Sequence, residues 1–270
     1  HVSLSIPFFK GCLLDLKMFL IVIFINQILI HFLMKVGILY SGGKDSTYAI
    51  DYAIQKKWDI RYLISVKPNR KDCYLFHYAT VEHTKDLAKI IGFPHFLIKC
   101  SIADAKKEAA LVKEVVEKQQ KKDPINALIL GGVGLQETQL KSIQEALKPL
   151  GVEVFASHAG EEHDIIMDDM LNKGFEIYIT QVASDGLIPW LGKKITKENF
   201  KDLKKDSIKF KFHIGAEGGY YDTLVTDTAF FSKKLSIKDM EIVKEDAYCG
   251  HVNIKKLEIV DKKVQQEIKS

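Results

Sequence analysis

From residue 34 onward, short apolar runs alternate with longer segments of helical character, and this rhythm constrains the fold more than any other feature. Runs of almost unbroken apolar residues are typical of strands buried on both faces of a sheet. Five such runs lie at residues 35–40, 61–66, 95–100, 126–131 and 152–157, with helical patterns at 44–57, 79–92, 102–122 and 136–151. Alternating strands and helices predict right-handed crossovers, so we expect an α/β fold with a doubly wound parallel sheet.

The alternation loosens after about residue 134, and we expect a second, smaller α/β region there. Its predicted elements are a helix near 161–172 and strands within 175–184, 239–246 and 253–260. The expected organisation is a hydrophobic extension over 1–33, a first α/β domain over 34–133 and a C-terminal domain over 134–265.

The extension carries an apolar run at residues 18–34, interrupted by Asn26, Gln27 and His31. A helix needs about 20 apolar residues to span a bilayer, so the run is a marginal membrane candidate. No small-residue cleavage site of the kind that ends a signal peptide follows it. Two interpretations stay open: a segment outside the fold, which is favoured and could reflect an upstream start site, and a membrane anchor.

Charge and cysteine usage exclude some functional classes. The net charge of +4 comes from lysine, since Arg61 and Arg70 are the only arginines. Readers of DNA sequence depend on bidentate arginine contacts, so DNA reading is disfavoured. The four cysteines, at positions 12, 73, 100 and 249, form no C-x-x-C pair. Neither a zinc knuckle nor a redox dithiol is indicated, and reduced thiols in a cytoplasmic protein are expected.

The first strand runs into the turn "SGGKDS" at residues 41–46, directly before a helix. A helix N-terminus presents unpaired N–H groups to an anion, and Gly42 and Gly43 let the backbone approach it closely. The turn is not a P-loop, because Asp45 follows Lys44 and position 38 is isoleucine. It also lacks the G-x-G-x-x-G of dinucleotide sites. The remaining alternative is a tight connection in which Asp45 or Ser46 caps the helix.

In this position "SGGKDS" resembles the PP-loop of the N-type ATP pyrophosphatases, which have an adenine nucleotide alpha hydrolase-like fold. The resemblance implies cleavage of ATP to AMP and pyrophosphate, with AMP transferred to a carbonyl or carboxyl oxygen that ammonia or sulfur then displaces. It implies that Lys44 stabilises charge and that Asp45 is a candidate ligand of Mg²⁺. The residues implied to hold the β and γ phosphates are Ser41, Gly42, Gly43, Lys44, Asp45 and Ser46.

Three further stretches, at 72–94, 181–195 and 215–230, resemble segments of the diphthine–ammonia ligase family. With the turn, the likeness extends from Met34 to about residue 260. It implies a ligase that adenylates the carboxylate of diphthine, a modified histidine on translation elongation factor 2, and lets ammonia displace AMP to give diphthamide.

Site residues follow from the same resemblance. Glu217 is the implied second catalytic residue, which would bind ammonium and accept its proton. The implied substrate-binding residues are Tyr74, His77, Asp185, Gly186, Gly218, Gly219, Tyr221 and Thr223. Structural alternatives stay open: a packed histidine at 77, an ordinary Asp-Gly turn at 185–186, and a hairpin turn followed by strand aromatics at 217–223.

The chain departs from the family pattern in several places. Ala216, Tyr220 and Asp222 stand where the signature has glycine, glutamate and glutamate, and Lys141 lies near the position of a family arginine. Residues 155–164 replace a Pro-Leu-Trp element. The polar residues of this replacement suggest a metal site or, as favoured, a helix cap with an acidic first turn: His158, Glu161, Glu162, His163 and Asp164.

Three functions compete at this stage. The first is the diphthine–ammonia ligase; the second is a PP-loop enzyme that adenylates a tRNA base or a small carboxylic acid; the third is a nucleotide-binding module without catalysis. The absence of paired cysteines disfavours RNA thiolation. For the first function the expected substrates and cofactors are ATP, Mg²⁺, ammonium and elongation factor 2. No stable nucleic acid or membrane partner is expected, the location is the cytoplasm, and a homodimer is left open.

Overall fold

The structure, a computed structural model, describes residues 34–69, 81–132 and 136–262. The N-terminal extension and the predicted substrate residues Tyr74 and His77 lie outside the described residues. Within the described ranges, every helix is too short or too polar to traverse a lipid bilayer.

A five-stranded parallel sheet forms the first part of the chain, as predicted. Its order is β3-β2-β1-β4-β5, so the chain reverses its direction of winding between β1 and β4. The strands are β1 (Lys35–Leu39), β2 (Asp59–Pro68), β3 (His95–Cys100), β4 (Ala127–Leu130) and β5 (Glu153–Ala156). In such sheets ligands bind at the carboxyl ends of the strands near this reversal, where the loop at 41–46 leaves β1.

Helices cover both faces of the sheet, which confirms the doubly wound arrangement. They are α1 (Lys44–Gln55), α2 (Thr84–Ile91), α3 (Ala105–Gln120) and α4 (Gln136–Leu147), with 3-10 turns at Val81–His83 and Lys148–Leu150. Val36 and Ile38 of β1 join a buried cluster with α1 and α2. Leu128 and Leu130 of β4 join a second buried cluster with α3 and α4. Successive side chains of a strand point to opposite faces, so the strands are apolar throughout.

The second part of the chain is an α/β region built on an antiparallel sheet. Its elements are α5 (His163–Asn172), β6 (Glu176–Ala183), β7 (Lys194–Ile195), α6 (Lys197–Phe210), β8 (Tyr221–Asp227), β9 (Lys234–Lys244) and β10 (Cys249–Val260), with a 3-10 turn at Ile188–Trp190. The strand order is β7-β6-β10-β9, and β8 pairs with β6. The sequence analysis predicted α5 and three of these strands but not α6. Helix α6 begins with a capping box formed by Thr196 and Asn199.

The two parts share one hydrophobic core. The cluster on the α1 face of the parallel sheet continues into the second region through Leu203 of α6 and Leu224 of β8. The parallel sheet itself extends through β5 to Ala156. The division between residues 133 and 134 stays a prediction. The shared core fixes β8 against the loop that follows β1.

Candidate active site

The loop after β1 is a strand–turn–helix connection, as the sequence predicts. Gly42 has a φ of 82°, a conformation that glycine adopts without steric cost, and α1 begins two residues later at Lys44. On the far side, the N–H of Val225 in β8 donates to the carbonyl of Gly42 at 3.0 Å. The loop therefore lies between the parallel sheet and β8.

Two serine hydroxyls stand beside the backbone N–H groups of this loop. The N–H of Ser41 donates to Oγ of Ser46 at 3.1 Å, and the two hydroxyl oxygens are 3.1 Å apart. The N–H of Gly43 points to Oγ of Ser41 at 3.4 Å. Hydroxyls and amides thus converge at a helix N-terminus, where the helix dipole favours negative charge. This arrangement suits a phosphate group.

Thr223 connects β8 to the start of α1. Its Oγ1 accepts a hydrogen bond from the N–H of Lys44 at 3.0 Å, and the threonine is 6% exposed. The bond satisfies one of the N–H groups that a helix leaves unpaired in its first turn. The predicted substrate residue Thr223 is thus brought to the loop. Its role in binding substrate stays a prediction.

Lys44 is the most deeply buried charged group of the loop, with an exposed fraction of 1%. Its Nζ donates to the two carboxylate oxygens of Asp45 at 2.6 and 2.8 Å and to the carbonyl of Gly215 at 2.6 Å. Burial raises the pKa of Asp45, but the charge and hydrogen bond of Lys44, together with His158 and His163, hold that pKa below its usual value. Lys44 joins the loop to the segment that carries Glu217.

That segment, residues 213–219, turns sharply below the loop. Gly218 and Gly219 have φ values of 98° and 78°. The backbone N–H of Glu217 donates to Nδ1 of His213 at 3.3 Å, and its Oε1 lies 4.0 Å from Nε2 of His163. The Glu217 side chain is 10% exposed. The two predicted catalytic residues are therefore linked through the bond from Lys44 to the carbonyl of Gly215, two residues before Glu217.

Tyr221 supports this turn from β8. Its hydroxyl donates to the carbonyl of Ile214, and the side chain is buried. Burial raises the pKa of the phenol above its ordinary value, so the group stays protonated and remains a donor. Its contacts are structural, and a direct role in binding substrate stays a prediction.

The segment at 155–164, which stands in place of a Pro-Leu-Trp element in the resembled family, brings two histidines to the site. His158, buried beneath the loop, has its Nε2 3.8 Å from Oδ1 of Asp45, and burial lowers the pKa of its ring. His163 begins α5 and lies near Glu217. Asp164 lies in the first turn of α5, as expected, but Glu162 at the N-cap makes no side-chain cap bond. Donor atoms of His158, His163 and Glu217 all lie within 4.8 Å of one another, so these residues could hold a metal ion.

Sequence reasoning missed Gly131, which follows β4. A Cβ at this position would lie 2.6 Å from the backbone nitrogen of Ser46 and 2.7 Å from the carbonyl carbon of Asp45. Only a residue without a Cβ allows the end of β4 to pack this closely against the backbone at the start of α1. A signal was available, because Gly131 begins a Gly-Gly pair at the end of a predicted strand. The glycines of the loop follow β1 in the same way.

The second predicted loop, at Asp185 and Gly186, has a clear structural role. Oδ1 of Asp185 accepts from the N–H of Gly186 at 2.8 Å. Gly186 has a φ of 74°, and a Cβ there would overlap the ring of Phe210. The turn is therefore shaped by its packing on the end of α6. Contact with substrate stays a prediction for both residues.

Ala216 stands where the resembled signature has glycine, and its φ of 65° lies in the left-handed region. This conformation costs a residue with a Cβ about 1–2 kcal/mol. We expect Ala216→Gly to raise the free energy of unfolding by roughly 1 kcal/mol in urea titration. Ala110→Gly, at an exposed position inside α3, is the matched control and should lower it by about 1 kcal/mol. A loss of stability in Ala216→Gly would contradict the assigned strain.

Comparison with known proteins covers nearly all of the described chain. A model of the diphthamide synthase N-terminal domain matches residues 34–154, and one of the diphthamide synthase C-terminal domain matches residues 162–260. A diphthine–ammonia ligase from Homo sapiens is 26% identical over 253 residues, which cover 84% of this chain and 92% of that protein. Proteins of the same name from Bos taurus and Mus musculus are 26% and 27% identical over 239 residues, covering 79% of this chain and 86% of each relative.

Proposed function

The chain belongs to the diphthamide synthase family, and we propose that it is a diphthine–ammonia ligase that joins ammonia to the carboxylate of diphthine on elongation factor 2. ATP would supply the driving force by cleavage to AMP and pyrophosphate. The observation that carries this proposal is the contact between the loop and the segment of Glu217. Lys44 reaches the carbonyl of Gly215, two residues before Glu217. This contact supports a proposed phosphate site that lies next to the proposed amine site.

The chemistry explains why both sites must be close together. A carboxylate oxygen does not leave, so ammonia cannot displace it directly. Transfer of AMP to that oxygen forms a mixed anhydride and releases pyrophosphate; ammonia then attacks the carbonyl carbon, and AMP leaves. Holding the anhydride next to the amine turns the second step into a reaction between bound groups. Charge develops on pyrophosphate in the first step and on the carbonyl oxygen in the second.

The residues of the loop have proposed roles in the first step. The N-terminus of α1 and the hydroxyls of Ser41 and Ser46 bind the phosphates, and the buried charge of Lys44 favours the departing pyrophosphate. Asp45 offers carboxylate oxygens, the donor type that Mg²⁺ prefers, and both contact Lys44 here. When bound, Mg²⁺ would neutralise phosphate charge.

Glu217 has the proposed role in the second step. Its carboxylate is largely buried, which suits a group that binds ammonium and takes its proton before attack. We propose cytoplasmic action on elongation factor 2, without a stable nucleic acid partner. The family's glutamates are replaced by Tyr220 and Asp222, so the alternative acceptor, a tRNA base or a small carboxylic acid, is kept as an outcome of the test.

The test supplies the full chain with ATP, ammonium and elongation factor that carries diphthine. We expect AMP and pyrophosphate in equal amounts and a mass decrease of the factor that corresponds to replacement of a hydroxyl by an amine. Elongation factor without diphthine is the matched control and should yield neither product. Release of ADP would contradict the mechanism. Formation of AMP and pyrophosphate with a tRNA or a small carboxylic acid, but not with the diphthine-bearing factor, would show that the acceptor is the alternative one.

A further inference from the structure

A buried histidine below the loop has a ring nitrogen with an unused lone pair. The Ser157 hydroxyl donates its one proton to the carbonyl of Gly131 at 3.1 Å, and it lies 3.2 Å from Nδ1 of His158. The hydroxyl can therefore only accept from His158, which assigns the proton of the neutral ring to Nδ1. Nε2 is left as a bare acceptor.

The surroundings of that nitrogen offer it no proton. Within the part of the chain that the structure describes, Nε2 of His158 has no hydrogen-bond partner, and the residue is 2% exposed. The carboxylate of Asp45 lies 3.8 Å from Nε2 and is itself an acceptor, bound by Lys44. Buried polar atoms normally have a partner, so a lone pair beside a carboxylate is suited to a cation or to a hydrogen-bond donor.

Two further donors complete a set around the same point. His163 and Glu217, from α5 and the turn before β8, place a ring nitrogen and a carboxylate oxygen 4.0 Å apart, and with His158 all three donor atoms lie within 4.8 Å. Ligands of a tetrahedral zinc ion are about 3.3 Å apart, given metal–ligand bonds of about 2.0–2.1 Å. Small side-chain rotations would close the difference. Two imidazoles and one carboxylate suit Zn²⁺ and its first-row neighbours, whereas Mg²⁺ prefers oxygen alone.

Neighbouring residues hold the second histidine in place. A Cβ on Gly215 would lie 2.5 Å from Nδ1 of His163, so the ring occupies space that only glycine leaves. His213 stacks edge-on against it with ring centroids 4.6 Å apart. His158 thus has a hydrogen bond to Ser157 of the kind that orients a metal-ligating imidazole, and His163 is held by packing.

We propose that His158, His163 and Glu217 bind one first-row transition metal ion such as Zn²⁺ below the ATP loop. The set has three protein ligands, so a fourth position is open to water or an amine. The proposal goes beyond the amidation reaction, and metal binding needs no substrate. One carboxylate oxygen of Glu217 would bind the metal and leave the other for the amine.

The test titrates the metal-free full chain with Co²⁺, followed by visible absorption, and with Zn²⁺ by calorimetry. We expect one equivalent of each, the intense bands of four-coordinate cobalt, and no displacement by excess Mg²⁺. His163→Ala and Glu217→Gln should weaken binding by more than about 100-fold, and Ser157→Ala by about 10- to 100-fold. His95→Ala, which removes a half-buried histidine paired with Ser65, is the control and should bind normally.

Absence of binding, or unchanged binding in His163→Ala, would overturn the proposal. Because a variant in this region could fail to fold, a second measurement uses the unaltered protein. X-ray absorption of the zinc-loaded chain should show two imidazole nitrogens and one carboxylate oxygen. A shell made only of oxygen ligands would overturn the site regardless of the variants.

Discussion

Lys44→Met is expected to lower kcat/KM for AMP and pyrophosphate formation by about 100- to 1000-fold, the usual effect of removing one group that stabilises transition-state charge. Methionine keeps the length and apolar stem of lysine but removes the ammonium. The same change leaves the carboxylate of Asp45 without its closest cation, 2.6 Å away. Breaking a buried ion pair by removing one partner costs about 3–5 kcal/mol. Because 23% of the Asp45 side chain is exposed to solvent, we expect a smaller loss in the free energy of unfolding.

Two further variants separate activity from stability. Lys44→Met combined with Asp45→Asn removes both charges, so it should recover most of the lost stability and none of the activity. Lys173→Met is the matched control, because Lys173 bridges Asp51 and Asp169 between α1 and α5, away from the loop. It should lower stability with little effect on kcat. Normal product formation by Lys44→Met in the diphthine assay would remove Lys44 from the mechanism.

Gly131→Ala is expected to raise KM for ATP by at least about tenfold and to lower the free energy of unfolding by about 1–3 kcal/mol. Its Cβ would lie 2.6 Å from the nitrogen of Ser46 and 2.7 Å from the carbonyl carbon of Asp45. Both neighbours are backbone atoms at the start of α1, so the overlap cannot be relieved by a side-chain rotation. The start of the helix must shift, and the proposed phosphate site would move with it.

The control for this variant is Gly151→Ala. Gly151 follows the 3-10 turn after α4, with a φ of 67°, and no atom lies within 4 Å of the point that a Cβ would occupy. Its replacement costs about 1 kcal/mol of stability through backbone strain alone. Isothermal titration with ATP should show weakened binding for Gly131→Ala and unchanged binding for Gly151→Ala. Equal affinities in the two variants would argue against Gly131 as the support of the loop.

The sequence predicted the parallel sheet well because each of its strands is a local pattern. Val36 and Ile38 of β1 lie in the buried cluster on one face of the sheet, and Leu128 and Leu130 of β4 lie in the cluster on the other face. Because both faces are covered, each strand is an almost unbroken run of apolar residues. Helix α6 was missed although its capping box, Thr196 with Asn199, is also local. Its many lysines and low overall hydropathy concealed it beside a loop rich in glycine and proline.

The sequence predicted those parts of the site that are formed by consecutive residues, but not the contacts between distant segments. The turn at 41–46 and its anion-binding character are local properties of glycine, serine and a helix start. His158 and His163 meet Glu217 only because α5 and the turn before β8 pack beneath the same loop, and no spacing in the sequence reveals that. Gly131 is similar, since its need for glycine arises from the pairing of β4 with β1.

The hydrogen bonds from β8 to the loop also bear on how the protein is made. Thr223 accepts from the N–H of Lys44, and Val225 donates to the carbonyl of Gly42, across about 180 residues of chain. A ribosome synthesises the loop long before it synthesises either partner, and segments fold as they emerge. The loop therefore acquires these two hydrogen bonds only after β8 has been synthesised. A nascent chain that has not yet produced β8 therefore lacks the contacts that hold the proposed nucleotide site in place.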